Sequence, residues 1–206
     1  MRRKRGFTLL ELLTTITILG VLMALVLNAF SRLSRSGQKA KLQELVAETA
    51  TSLSYLIQEK KIWPNELIEA SNGEGLLDQD ACAALVNNGL MDLVSVTTKD
   101  GQVKTIGRDR MGLVDPFAAD VLKRNRRATL DTPVPQGGTI KDHILHFAID
   151  TDDSGTCTAT VGGRKVKVRA AAIVWSAGAD GKVEDTHMSG RSDDVFSWRV
   201  TQEINR

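Results

Sequence analysis

The chain has 206 residues, of which 42% are hydrophobic and 25% are charged, and its formal net charge is +2. This length leaves room for one small globular domain, and not two, once an N-terminal membrane segment and a stalk are set aside. Four basic residues lie at positions 2–5, so the rest of the chain carries 23 basic and 25 acidic side chains, a balance that does not imply a basic, nucleic-acid-binding surface.

The first predicted element is an apolar stretch at residues 7–30, in which Glu11 is the one charged residue. A helix of this length crosses a hydrocarbon core about 30 Å thick. The basic residues before it predict that the N-terminus stays in the cytoplasm and that the rest of the chain lies across the membrane. A secretory signal peptide is the rival interpretation, but its apolar core is shorter and is followed by small residues at the cleavage site.

Glu11 is the informative residue of this stretch. A carboxylate within a membrane segment is energetically costly and is usually retained for a function, although it can also extend to the membrane interface. The basic leader, Gly6 and the run Phe7-Thr8-Leu9-Leu10-Glu11 together resemble the class III signal of type IV pilins and of type II secretion pseudopilins.

The resemblance implies that a prepilin peptidase cuts after Gly6 and N-methylates Phe7. Glu11 would then pair with the new α-amino group of Phe7 in a neighbouring subunit and set the axial register of a filament. A buried charge pair suits that role because removing one partner costs about 3–5 kcal/mol. Many family members have a proline where this chain has Asn28, so the helix is expected to lack that kink or to melt differently in the filament.

The second predicted element is an amphipathic stalk that continues the same helix, from about residue 8 to residue 60. Apolar residues recur at steps of three and four between positions 42 and 57, once Thr49 is counted on the same face. This stripe either lines a filament core or packs on the domain, and the second interpretation is preferred. The run Trp63-Pro64-Asn65 is expected to end the helix.

The remaining elements predict a small α+β domain. A short helix is expected from Asp78 to Asn88, capped by Asp78 or Asp80. Residues 107–140 are expected to be irregular, with a turn at Asp115-Pro116 and a basic cluster at 123–127 that is either a solvated loop or a subunit contact. The predicted strands are 90–96 with 104–106, 144–149, 158–161 with 165–168, and 171–175.

These elements give the fold class and the domain organisation. We predict a pilin-like α+β fold in which one long N-terminal helix packs on a small antiparallel sheet. The expected divisions are a cleaved leader (1–6), a transmembrane helix (7–30), a stalk (31–62) and a globular domain (63–206) that contains an acidic loop (176–198).

The two cysteines, Cys82 and Cys157, have two interpretations. A disulfide between them is permitted if the domain lies outside the cytoplasm, and two buried thiols are the alternative. A zinc site is disfavoured because paired histidines are not nearby.

The last predicted element is an acidic loop that ends at Trp198. It gathers five carboxylates in a glycine-rich segment, at Asp180, Glu184, Asp185, Asp193 and Asp194. Calcium prefers such oxygen-rich loops, although acidic loops are most often simply solvated. A second acidic run at residues 150–155 opens like an EF-hand, but Val161 stands where that motif needs a bidentate glutamate, so a turn is expected there.

The order of residues in this loop resembles the C-terminal calcium loop of major type II secretion pseudopilins. The likeness rests on residues 176–181 (SAGADG) and 193–198 (DDVFSW), whereas the insert at 182–192 differs. It implies calcium as the cofactor, with side-chain ligands Asp180, Asp193 and Asp194 and a backbone ligand at the Ala177 carbonyl.

The sequence does not predict an enzyme. It contains no nucleophile-elbow, phosphate-loop or zinc-protease motif. His143 and His146 lie three apart in a predicted strand, so they would point to opposite faces and would not share a metal.

The resemblance therefore favours a structural subunit of a type II secretion pseudopilus, held in the bacterial inner membrane by one helix with its domain in the periplasm. Its expected partners are copies of itself, minor pseudopilins, prepilin peptidase, the inner-membrane assembly platform and lipid, and not nucleic acid. The alternatives are a type IV pilin or minor pilin, and, in another class, a signal-anchored periplasmic binding domain that does not polymerise.

Overall fold

The computed structural model describes residues 9–72, 75–89, 95–97, 103–105, 112–125, 127–183 and 193–198. The chain divides into two compact units, Met1–Gln38 and Lys39–Arg206, which we describe in turn. Helix α1 (Leu9–Lys60) has 52 residues and supplies chain to both units, which confirms the predicted continuous helix. Its backbone stays helical through Asn28.

The first half of α1 is an exposed apolar helix. Its window Leu9–Val26 has a mean hydropathy of 2.3, and none of that window is buried. Three threonine hydroxyls, those of Thr14, Thr15 and Thr17, donate to backbone carbonyls one turn earlier at 2.8–3.0 Å. Because these hydroxyls are satisfied within the helix, they add little cost to its transfer into lipid. This is the one helix segment of the described chain that is long and apolar enough to cross a membrane.

The second half of α1 packs on the domain, as predicted. Leu42, Val46, Leu53 and Leu56 are essentially inaccessible to solvent, and Thr49 is buried among them. The Thr49 hydroxyl donates to the Leu45 carbonyl at 2.7 Å, which explains how a polar side chain is tolerated on this face. The stripe is therefore one side of a hydrophobic core.

Helix α1 ends at Lys60, as predicted, and Lys61 leaves the helix with a φ of 62°. The predicted terminator Pro64-Asn65 instead begins a new helix, α2 (Asn65–Asn72), in which the Pro64 carbonyl accepts from Leu67 and Ile68. Proline fixes φ near the helical value and lacks a donor that a first turn would leave unused, so it favours a helix start here. Helix α3 (Gln79–Asn87) and its Asp78 cap agree with the prediction.

Within the described residues, the strands form three small antiparallel sheets. The predicted pairing around residues 99–101 is present as β1 (Ser95–Thr97) with β2 (Val103–Thr105). The central sheet has the order β3-β6-β7, and β4 and β5 form a separate hairpin. The five later strands are β3 (His146–Ile149), β4 (Cys157–Val161), β5 (Arg164–Val168), β6 (Ala172–Ser176) and β7 (Val195–Phe196).

Strand β6 lies between two hydrophobic cores and is buried at every position. One core joins the face that carries Phe147 and Val174 to the helices, including the second half of α1. The other core joins the opposite face, with Ile173 and Trp175, to the β4–β5 hairpin and Trp198. This arrangement confirms the α+β fold, with a long helix packed on a small antiparallel sheet.

Two predictions for residues 107–149 are wrong. The irregular region contains helix α4 (Pro116–Arg124), for which Asp115 is the cap and Pro116 the first residue, and the basic residues Lys123 and Arg124 form its last turn rather than a loop. His143 lies in a short 3-10 helix (Lys141–His143) and not in the strand, because its amide donates to the Ile140 carbonyl at 3.1 Å in a turn that ends before β3.

Of the two interpretations of the cysteines, the structure shows the second, because Cys82 and Cys157 are free, buried thiols and not a disulfide. The Cys82 thiol donates to the Leu77 carbonyl at 3.4 Å in one core, and the Cys157 thiol donates to the Ala170 carbonyl at 3.1 Å in the other. Burial raises the pKa of each thiol to about 12. Both cysteines therefore behave as small apolar core residues.

Candidate functional site

Glu11 places a carboxylate in the first turn of α1, on the exposed apolar surface. The predicted processing residues, Gly6 and Phe7, lie outside the described residues. A negative charge near a helix N-terminus is favoured by the helix dipole. In lipid the same charge requires a cationic or hydrogen-bonding partner, because hydrocarbon does not solvate it.

The C-terminal acidic segment (176–198) has two described limbs, 176–183 and 193–198. Antiparallel pairing of Ser176 with Val195 brings the limbs together at the edge of the central sheet. The Ser197 amide donates to the Val174 carbonyl at 2.9 Å, and the Val174 amide donates to the Ser197 hydroxyl at 2.9 Å. The second limb is therefore fixed to β6 by both backbone and side chain.

The limbs also meet where Gly178 faces Asp193. Gly178 has a φ of 69°, and a Cβ atom there would lie 2.6 Å from the Asp193 carbonyl oxygen. The Ala179 amide donates to the Asp193 carboxylate. Only glycine permits this approach, since any side chain would displace the second limb.

The predicted calcium ligands divide evenly between the limbs. Ala177 and Asp180 lie on the first limb, and Asp193 and Asp194 lie on the second. The Asp180 carboxylate accepts from the Lys182 amide at 2.9 Å, and the carboxylates of Asp193 and Asp194 are half-buried and buried. Within the described residues no group of three acidic, histidine or cysteine side chains is assembled for a metal ion, and Glu184 and Asp185 lie outside them.

The predicted ligand set consists of the residue types that a hard cation prefers. Three carboxylates and a backbone carbonyl are oxygen ligands of the kind that calcium takes, and the β6–β7 pairing brings the two limbs that carry them together. Three residues of the insert that are unexpected beside a hard cation, His187, Met188 and Arg191, lie outside the described residues.

The first limb packs on the loop that precedes β3. A Cβ atom on Gly137 would lie 2.7 Å from the Asp180 carbonyl oxygen. A Cβ atom on Gly181 would lie 3.2 Å from His143 Nε2 and 3.2 Å from Asp142 Cβ. Through these close contacts the acidic segment packs next to a buried polar group.

That group is a pair formed by Asp115 and His143, both with fully buried side chains. His143 Nδ1 lies 2.7 Å from Asp115 Oδ2, and His143 Nε2 lies 2.9 Å from the Gly137 carbonyl oxygen. Burial lowers the pKa of His143, but the hydrogen bond and charge of Asp115, with smaller contributions from Gly137 and Asp142, outweigh it, so the pKa is raised.

Sequence reasoning missed this pair. The dipeptide Asp115-Pro116 was interpreted as a turn, although Asp followed by Pro is also the signature of a helix cap and first position. Nothing in a single sequence indicates which histidine such a cap contacts.

A cleft of about 320 Å³ opens between the end of α2 and the β4–β5 hairpin. Ser71, Asn72, Thr158, Thr160 and Lys165 supply its polar lining, with Phe147 and Trp175 among the apolar residues. Lys165 is the one ionisable side chain among these lining residues, so they offer no acid–base pair.

Comparison with known proteins bears on the N-terminal segment. Residues 1–27 match the family model described as the prokaryotic N-terminal methylation motif. The chain carries a pilin-type N-terminus. This match supports the type IV pilin-like family, and a motif of this type indicates processing by prepilin peptidase and polymerisation into filaments.

Together with the apolar helix, the pilin-type N-terminus fits a single-pass membrane-anchored protein. The matched span contains Gly6, Phe7 and Glu11, whose individual roles stay predictions. No curated protein and no solved structure matches the chain.

Proposed function

We propose that this protein is a structural subunit of a type II secretion pseudopilus, which polymerises through α1 and helps to drive protein export across the outer membrane. The observation that carries the proposal is the pilin-type N-terminus joined to an apolar helix that continues into a small α+β domain. In this role α1 holds the subunit in the inner membrane before assembly, and the domain lies in the periplasm.

Assembly would use the charge at Glu11. Cleavage after Gly6 would create an α-amino group on Phe7, and a neighbouring subunit's Glu11 would be its partner. The apolar surface of Leu9–Val26, none of which is buried in the monomer, would exchange lipid for neighbouring helices as the filament forms. Minor pseudopilins and the inner-membrane assembly platform are the further partners of this role.

The acidic segment supports a pseudopilus over a pilus. Asp180, Asp193, Asp194 and the Ala177 carbonyl would hold calcium, which would stabilise the two limbs by neutralising their carboxylates. The role is structural and not catalytic: His143 is a buried structural residue, and His146 is stacked on Trp175 with ring centroids 5.3 Å apart.

The proposal is tested first on the mature N-terminus. Mass spectrometry of the protein from membranes of its own bacterium should find a chain that begins at N-methyl-Phe7. An intact Met1 would contradict both filament functions and favour the anchored binding domain, for which the cleft at Lys165 would be the site.

A second experiment separates the two filament functions. Deletion of the gene should stop the release of exported proteins into the medium, and the wild-type chain should restore it. Normal export combined with the loss of surface filaments, attachment or DNA uptake would contradict the pseudopilus and favour the type IV pilin.

A further inference from the structure

The protonation state of the buried Asp115–His143 pair follows from the hydrogen-bond partners of the two side chains. The Gly137 carbonyl can only accept, so His143 Nε2 must carry a proton. Asp115 Oδ1 already accepts from the amides of Phe117 and Ala118 at 2.9 and 3.0 Å, which favours the ionised carboxylate. His143 Nδ1 then donates to Asp115 Oδ2, and the pair is an imidazolium with a carboxylate.

This ion pair joins three parts of the domain that are distant in sequence. Asp115 caps α4, and its amide donates to the His143 carbonyl at 2.9 Å. His143 Nε2 donates a hydrogen bond to the Gly137 carbonyl. Gly137 in turn packs against the backbone of Asp180. Gly181, the residue after Asp180, packs directly against the Nε2 edge of the His143 imidazole.

We propose that the Asp115–His143 ion pair positions the first limb of the acidic segment, by fixing the Gly137 loop on which the Asp180 turn rests. His143 is thus a positioning residue, and the ordering of Asp180 is determined inside the domain before any cation is bound. The purpose of this ordering rests on the proposed function, whereas the contact itself does not.

The surrounding charges are consistent with this role. Asp142 is the nearest other carboxylate in sequence, and its Oδ2 is occupied by the amide and hydroxyl of Thr139 at 2.7 and 2.8 Å. Asp115 therefore remains the direct counter-ion of His143, and removal of either charge leaves the other buried without compensation.

Hydrogen exchange of the full chain in detergent tests the proposal, with chelator present so that calcium plays no part. In His143→Gln and in Asp115→Asn, the amides of residues 178–182 should exchange at least about tenfold faster than in the wild type, the equivalent of about 1.4 kcal/mol. The β4–β5 hairpin (157–168) should be unchanged in both variants, and His146→Gln should leave both regions unchanged.

The double variant distinguishes positioning by charge from packing alone. With both charges removed, no buried charge is left uncompensated, so residues 178–182 should exchange more slowly than in either single variant. Additive effects, equal acceleration across the hairpin, or unchanged exchange at 178–182 would each overturn the proposal.

A glycine variant tests the loop contact without touching the ion pair, and it covers the case in which the charge variants fail to fold. Gly137→Ala would place a methyl group against the Asp180 carbonyl, so exchange at 178–182 should rise. Gly163→Ala is the matched control, since its φ is also positive but nothing lies within 4 Å of the added carbon. Equal exchange in these two variants at 178–182 would contradict the proposed contact.

Adding calcium to the wild type separates this proposal from the calcium proposal. Slower exchange at 178–182 on addition supports the ligand set. No response to calcium, with the variant effects present, would reject calcium at this segment and retain the positioning role.

Discussion

At the scale of single residues, one charged residue and one charge pair occupy apolar surroundings in very different ways. Glu11 lies on an exposed apolar helix surface, whereas Asp115 and His143 neutralise each other inside the domain. The Glu11 side chain is exposed. The second pair completes its hydrogen bonds within one chain, which makes it a stabilising feature of the fold.

Glu11→Ala should leave leader removal intact and impair filament assembly, because the peptidase acts at Gly6-Phe7 whereas register depends on the carboxylate. Losing one partner of a buried charge pair costs about 3–5 kcal/mol, enough to prevent most contacts from forming. The measurement is cross-linking of subunits in membranes, together with the mass of the mature N-terminus. Glu11→Asp keeps the charge and should retain part of the assembly; normal filaments from Glu11→Ala would refute the register hypothesis.

The raised pKa of His143 gives the domain a pH dependence with a definite sign. Since the folded protein holds the proton more tightly than the unfolded chain, the stabilisation is fully present below the unfolded pKa, about 6.5, and is lost as pH rises through the higher folded pKa. Thermal unfolding of the full chain in chelator should show a midpoint that falls over this range.

The His143→Gln variant is the control for that dependence. This variant has no group to titrate at position 143. Its thermal unfolding midpoint should therefore change less between pH 6 and alkaline pH than the wild-type midpoint does. Parallel curves for the two proteins would show that His143 is not the group responsible.

At the scale of elements, sequence reasoning was most successful where a pattern extends over many residues. The apolar stretch and the stripe at residues 42–57 predicted α1 almost to its ends, and alternation predicted the β4–β5 hairpin. Helices α2 and α4 were missed because they have eight and nine residues, too few for periodicity to outweigh a proline interpreted as a terminator or turn.

Contacts between elements were the least predictable. The Asp115–His143 hydrogen bond joins residues 28 apart in sequence, and the Trp63 indole donates to the Asp150 carbonyl 87 residues away. Local propensity carries no information on such pairs, because they form only when separate elements pack together.

The second half of α1 should contribute strongly to the stability of the domain. Leu53→Ala removes a fully buried side chain and is expected to lower the free energy of unfolding by about 2–5 kcal/mol. Chemical unfolding followed by tryptophan fluorescence measures the loss. Tyr55→Ala, at a side chain 59% exposed on the same helix, should change stability by less than about 1 kcal/mol, and equal losses would contradict the assigned packing.

At the scale of the whole molecule, the two ends of the chain carry the two proposed functional features. The N-terminal unit supplies the apolar helix with its pilin-type motif, and the domain closes with an acidic segment attached to its central sheet. The sequence predicted both features from residue order. Whether the segment binds calcium depends on the distances among carboxylates, which residue order does not determine.

Chelation of calcium should lower the melting temperature of the full-length protein in detergent, since a ligand that binds the folded state stabilises it by mass action. Asp193→Ala should abolish the difference between calcium and chelator. Asp131→Ala, at an exposed acid elsewhere, should preserve it. Identical melting curves for the wild type in calcium and in chelator would sink the calcium proposal.

The two buried thiols have a consequence for how the subunit matures. Because Cys82 and Cys157 lie in separate cores and are unlinked, no covalent cross-link contributes to the stability of the fold. Folding of the domain therefore needs no thiol oxidase or disulfide isomerase, and it would proceed alike in reducing and oxidising compartments. The stability of the domain is then expected to be the same with and without a reductant.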